Sequence, residues 1–206
     1  MLKKLREPVN SLTHWAGAIL ALIGLVALLI VGWSTPAKII SLAIYGVSLV
    51  FLFSASATYH MVQVKDKALE VFRKIDHAAI YVLIAGTYTP FTLGALRGPW
   101  GWTLLGLIWG LAGLGIVLKA MGGIRYPRAS LALYLAMGWL VVVAARPLWL
   151  HVPAWGLFWL AAGGLAYTAG VGFYAASRLP YRHFVWHLFV LAGTACHAVA
   201  VLRYSA

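Results

Sequence analysis

Seven stretches of mostly apolar residues follow one another along the chain, at about 13–33, 38–60, 76–96, 101–120, 129–146, 154–176 and 184–203. A helix needs about 20 such residues to cross the hydrocarbon core of a bilayer. A chain that repeats this length seven times has few other folds open to it. The breaks carry the punctuation expected of short connections: "STPAK" at 34–38, "QVKDKALEVFRK" at 63–74, "LRGPW" at 96–100, "MGGIRYPR" at 121–128, "RPLWLHVP" at 146–153 and "SRLPYR" at 177–182. Hydrophobic residues make up 63% of the chain and charged residues 10%, which excludes a water-soluble domain. The expected fold is an all-α integral membrane protein, one seven-transmembrane-helix bundle over residues 1–206.

The basic residues orient it. With the N-terminus cytoplasmic and the C-terminus outside, twelve fall on the cytoplasmic side: Lys3, Lys4, Arg6, Lys65, Lys67, Arg73, Lys74, Lys119, Arg125, Arg128, Arg178 and Arg182. Four fall outside, Lys38, Arg97, Arg146 and Arg203. The positive-inside rule favours this arrangement, and Trp33, Trp100, Trp102, Trp149 and Trp155 then collect at the outer interface. The formal charge of +12 reads as a basic face against anionic inner-leaflet lipids, not as a nucleic-acid surface. The first apolar run is too long for a signal-peptide core and no A-x-A site follows it, so it reads as a retained helix. The single cysteine, Cys196, allows no internal disulfide.

Against this background the polar residues stand out. His14, Ser56, His60, Asp76, His77, His183 and His187 all fall at the inner ends of their helices, at one membrane depth. Ionisable groups in such segments are costly and mark function. His183 and His187 are four apart, so both project from one helix face and can present ring nitrogens to one ion; Ser56 and His60 repeat that spacing. His60, His183 and His187 with one further open position would form a catalytic-type zinc site. Asp76 is a candidate general base for a bound water, or an outer ligand. Taken singly, each has a plainer reading. The histidine pair could be structural, Ser56 could back-bond to a helix carbonyl, and Asp76 could cap a helix beside Arg73 or Lys74. Convergence of three helices on one depth favours the metal.

Other features carry less. His197 lies on nearly the face of His183 but about 20 Å deeper, suited to an interhelical hydrogen bond or a proton relay. His77 reads as a packed neighbour and His151 as a solvated loop residue. Pro90 should bend the third helix, with Thr87 or Thr89 satisfying freed carbonyls. "GLAGLG" and "AAGGLAYTAG" read as close helix packing. No Walker, GxSxG or dinucleotide motif occurs in a suitable context.

Four segments in order, "EPVNSLTH" (7–14), "SATYH" (56–60), "KIDHAAIYVLIAGTYTPF" (74–91) and "HFVWHLFVLAGTACH" (183–197), resemble the bacterial hemolysin III proteins, relatives of the progestin and adiponectin receptors and the alkaline ceramidases. The resemblance runs end to end. It implies zinc held by His60, His183 and His187, Asp76 holding a zinc-bound water, and Ser56 assisting the substrate or the oxyanion. Glu7, Asn10 and His14 match a further motif that would tie the N-terminal segment over the inner mouth. The activity implied is zinc-dependent hydrolysis of a membrane lipid amide or ester, in a multi-pass protein of the inner (plasma) membrane. Two alternatives come from other classes: a non-catalytic sensor or homeostasis protein in which zinc holds helices together, and a cytolytic membrane protein. A pore needs a hydrated lumen, and these helices carry little polar surface to line one.

Overall fold

A computed structural model describes residues 5–122, 127–176 and 178–205. All of its regular structure is helical. The elements are α1 (Pro8–Gly32), α2 (Pro36–Met61), α3 (Asp66–Leu93), α4 (Pro99–Gly122), α5 (Pro127–Trp139), a 3-10 turn over Leu140–Ala144, α6 (Ala145–His151), α7 (Ala154–Ala175) and α8 (Arg182–Tyr204). Residues 127–151 run as one interrupted rod, so the described residues make seven helices. Six of them, α1, α2, α4, the 127–151 rod, α7 and α8, are long and apolar enough to cross a membrane. The chain is a multi-pass membrane protein. Lys3, Lys4 and Arg125, which contribute to the orientation argument, lie outside the described residues.

Each helix packs on the next through α5, α5 packs on α7, α7 on α8, and α8 returns to α1, so the bundle closes on itself. The helix α3 is the most polar of the set and also touches α5 and α8. Its partners are protein on several sides, which is where Thr, Tyr and Asp are tolerated at membrane depth. The outward surface is the reverse. Ile19, Leu20, Ile23, Ile30, Trp33, Trp102 and Leu165 are exposed, while Ser11, Ser41, Ser48, Ser56, Thr89 and Thr92 are buried. Small polar residues inside and large apolar ones outside is the pattern of helices solvated by lipid.

Two boundaries differ from the sequence reading. Helix α3 begins at Asp66, ten residues before the apolar run starts at 76, because "DKALEVFRK" is charged yet helix-favouring. Hydropathy registers only the apolar part. The fifth span continues to His151, so "RPLWLH" is helical and His151, though exposed, bonds back to the Pro147 carbonyl (2.8 Å). The 3-10 turn in that span is held by Tyr88 of α3. Its hydroxyl accepts the Val141 N–H at 2.9 Å and donates to the Met137 carbonyl at 2.8 Å. Interrupted backbone at membrane depth is stable only where protein supplies the missing partners.

Pro90 sits inside α3 without ending it. The Thr87 and Thr89 hydroxyls bond to the Leu83 and Ala85 carbonyls (2.8 and 2.9 Å), not to the Gly86 carbonyl that a proline at 90 frees.

The glycines sort more finely than the sequence suggests. Within "GLAGLG", Gly110 and Gly113 face open space, and only Gly115 packs, its missing Cβ position lying 2.5 Å from the Tyr81 ring. In "AAGGLAYTAG", Gly163 lies against His197 and Gly170 against Phe189 and Trp186. Gly115→Ala should therefore cost about 1–3 kcal/mol through overpacking. Gly113→Ala should be neutral or stabilising by up to about 1 kcal/mol, because alanine is the better helix former. Thermal unfolding in detergent reads both, and equal effects would contradict the packing described.

Candidate metal centre

The last turn of α2 starts the site. Any helix leaves its final four carbonyls without intrahelical partners, and at a membrane boundary these must be met locally. Here all four are. Val62 N–H bonds to Thr58 O (3.0 Å), Glu7 N–H to His60 O (3.0 Å) and Arg6 N–H to Met61 O (3.4 Å). The Arg6 guanidinium takes Tyr59 O (2.7 Å) and lies 4.3 Å above the Tyr59 ring. The segment before α1 thus closes the end of α2, and the Ser11 hydroxyl adds a bond to the Ala57 carbonyl (3.1 Å). This explains how α1 and α2 are fixed in register where His60 emerges.

His60, His183 and His187 converge from α2 and α8. Each offers a ligand atom, and the three atoms lie within 4.8 Å of one another. Ring centroids are 4.7 Å apart for His60–His183, 5.0 Å for His60–His187 and 4.8 Å for His183–His187. The i, i+4 spacing read from the sequence is what brings the α8 pair together. His60 Nε2 and His187 Nδ1 are buried with no hydrogen-bond partner. Such nitrogens are costly unless something binds them, and a divalent cation fits three imidazoles in this arrangement.

The Glu7 carboxylate fixes how His60 presents itself. Its Oε2 lies 2.7 Å from His60 Nδ1 and accepts a hydrogen bond from it. A proton on Nδ1 leaves the Nε2 lone pair free for a ligand. The same oxygen takes a bond from Asn10 Nδ2 (2.8 Å), and Oε1 pairs with Arg6 (3.1 Å). The bond from His60 is the largest influence on the Glu7 carboxyl; with help from Asn10 and Arg6 it outweighs partial burial and holds the group at about 2. Glu7 is therefore an ionised acceptor at ordinary pH. Asn10 contributes again through its backbone carbonyl, within reach of the His187 ring. His14, 3% exposed, stacks flat on His187 with centroids 3.5 Å apart and an interplanar angle of 13°. "EPVNSLTH" is thus the outer support of the cluster: Glu7 orients His60, while Asn10 and His14 bear on His187.

Asp76 and Ser56 face the cluster from the side. Asp76 is 7% exposed and within hydrogen-bond reach of the Ser56 hydroxyl, and it interacts electrostatically with His60. Asp76 does not belong to the three-nitrogen group, so a carboxylate stands beside the cluster, not in it. A cavity with about 170 Å³ of water-accessible space begins here. It passes Ile80, Leu83 and Ile84 of α3 and Leu131 and Leu135 of α5 and reaches His197 of α8. His77 borders it as well. His197 makes the expected interhelical contact, Nε2 to the Leu160 carbonyl at 3.1 Å.

A family profile described as haemolysin-III related matches residues 2–198. The chain belongs to the haemolysin-III family. It is 43% identical to Hemolysin-3 of Bacillus cereus over 200 residues, 96% of this chain and 91% of that protein. It is 33% identical to the human monocyte to macrophage differentiation factor over 169 residues, 78% of this chain and 68% of that protein. A third relative, heptahelical transmembrane protein ADIPOR2 of rice (Oryza sativa subsp. japonica), is 33% identical over 172 residues, covering 71% and 73%. The resemblance read from the four motifs is therefore correct at family level, and it extends to receptor-type relatives.

Two substitutions test this haemolysin-III site. His187→Ala should abolish stoichiometric metal binding and lower the melting temperature, since a metal bound only by the folded state stabilises it by mass action. Glu7→Gln should leave the fold intact and weaken metal affinity roughly 10–100-fold, the usual effect of losing an outer-shell partner. Chelator competition monitored by bound-metal analysis reads both. Wild-type affinity in Glu7→Gln would remove Glu7 from the site.

Proposed function

We propose that the chain is a zinc-dependent hydrolase acting on an amide or ester bond of a membrane lipid. The observation that carries this reading is the placement of Asp76 beside a three-histidine cluster at the mouth of an apolar-walled cavity. Four protein ligands would suit a purely structural ion; three with an adjacent carboxylate suit catalysis. His60, His183 and His187 would hold the zinc. When bound, zinc polarises a carbonyl and lowers the pKa of water toward about 7. Asp76 accepts a proton from the attacking water, its carboxylate fixed by the Ser56 side. The Ser56 hydroxyl, beside Asp76, would donate to negative charge growing on the substrate oxygen. The leucine and isoleucine walls take the hydrocarbon chain and keep bulk water from the reacting groups.

The site end of the bundle faces the cytoplasm in this reading, with the N-terminus inside and the C-terminus outside the plasma membrane. The twelve-to-four division of basic residues supports it. A reporter fused after Tyr204 should be active outside the cytoplasm and one inserted at 63–65 inside; the opposite pattern would place the site on the outer face.

Asp76→Asn separates chemistry from architecture. Zinc content should stay at the wild-type level, because the histidines are untouched, while turnover of a short-chain ceramide or related lipid should fall by about 10²–10⁴. Full activity in the variant removes Asp76 from the mechanism. A zinc-loaded wild type with no turnover across a broad lipid panel favours the non-catalytic sensor instead.

A further inference from the structure

Helix α4 is apolar along most of its length and ends at the site end of the bundle with one buried cation, Lys119. Lys119 is only 3% exposed, and it lines the cavity that His183, His187 and Asp76 also border. Lysine is almost never buried to this degree without an anionic partner. The chain has four acidic side chains, and none pairs with Lys119 among the described residues. Glu7 is engaged by Arg6, Asn10 and His60. Glu70 pairs with Lys74 at 3.3 Å. Asp76 lies against Ser56 and His60, and Asp66 is exposed at the far start of α3.

The charged neighbours make the deficit larger. Arg73 acts on Lys119, and Lys119 and Arg73 both act on His77, each a positive influence. Arg73 and His77 are one turn apart on α3, so they share the face turned to α4. The level of the three helices is fixed by bonds on either side. Lys74 Nζ donates to the Ala120 carbonyl at 3.4 Å, joining α3 to α4, and the Tyr134 hydroxyl donates to the His77 carbonyl at 2.8 Å, joining α5 to α3. One turn deeper, Gly115 lets α4 lie directly on the Tyr81 ring. Lys119 and Arg73, with the His77 ring beside them, are therefore held on packed helices, and Lys119 and His77 border a cavity whose walls are mostly apolar.

We propose that Lys119 and His77 at the cavity wall, with Arg73 adding positive charge from α3, form a subsite for a phosphate-type oxyanion carried on a lipid head group. A compact ammonium at the mouth of a low-dielectric cavity is a strong point partner for such an anion. The mostly apolar walls beyond it suit an anion tethered to an acyl chain. His77 follows Asp76 directly in sequence, so an anion held here places the adjoining part of the lipid beside the metal cluster. The inference rests on the reading of this cavity as a lipid site and narrows the substrate class to lipids bearing an anionic head group. It does not depend on hydrolysis or on the metal.

The test measures binding on the full chain in neutral detergent, both zinc-loaded and chelator-treated. Phosphatidic acid should raise the melting temperature in both preparations, and diacylglycerol with the same chains should not. Lys119→Gln should lose roughly tenfold or more in apparent affinity for phosphatidic acid, Lys119→Arg should retain it, and Lys65→Gln on the exposed loop should match wild type. If Lys119→Gln does not fold, Arg73→Gln supplies the same reading with a smaller loss. Inorganic phosphate stabilising at lower concentration than phosphatidic acid would assign the site to a free anion and overturn the lipid assignment. Equal stabilisation by diacylglycerol and phosphatidic acid, or unchanged affinity in both Lys119→Gln and Arg73→Gln, would overturn the subsite. Since lipid binding is read without zinc, its failure is distinguishable from failure of the hydrolase reading.

Discussion

A polar group in hydrocarbon has no water to bind, and that constraint governs where this chain places every group able to donate or accept a hydrogen bond. The end of α2 shows it most completely. Four carbonyls that water would solvate in a soluble protein are met by Val62, Arg6 and Glu7. Having brought Glu7 to that position, the same arrangement sets its carboxylate against His60. The Tyr88 hydroxyl meets the same requirement at the 3-10 turn of the fifth span. Function and architecture therefore share contacts in this fold. The groups that close helix α2 also orient a histidine of the cluster.

The constraint also identifies the groups left over. A buried polar atom without a partner is expensive, so the orphaned nitrogens of His60 and His187 are informative in a way that a bonded histidine such as His197 is not. His14 belongs with them. Both of its nitrogens are buried and unpartnered while its face lies against His187, and it borders the cavity. Lys119 is the cationic counterpart, buried with Arg73 near it and no carboxylate paired to it among the described residues.

Much of this was legible in the sequence, for physical reasons. Apolar runs of bilayer length announce spans because the solvent imposes the length. His183 and His187 announce themselves because helical periodicity makes i and i+4 neighbours. Depth bookkeeping then joined them to His60, Ser56 and Asp76 across three helices. What was not legible depends on tertiary contact. Nothing in "EPVNSLTH" says that its glutamate meets a histidine 53 residues later. Lys119 counted only as one more basic residue on the inner side, because depth within a helix end is set by neighbours and not by composition. The charged first turns of α3 were missed as helix because hydropathy measures affinity for lipid, not for helical backbone. The glycines misled for a related reason: spacing shows where a close approach is possible, and only the neighbouring helix decides whether it occurs.

The three histidines come from opposite ends of the chain. Synthesis from the N-terminus makes α1 and α2, with Glu7 and His60, first, and His183 and His187 come only with the final helix. A chain halted or misthreaded anywhere before α8 presents one prepared imidazole and nothing to complete the set. An ion held by these three histidines could be captured only after α8 has packed back on α1, so its binding would report that the last helix has found the first.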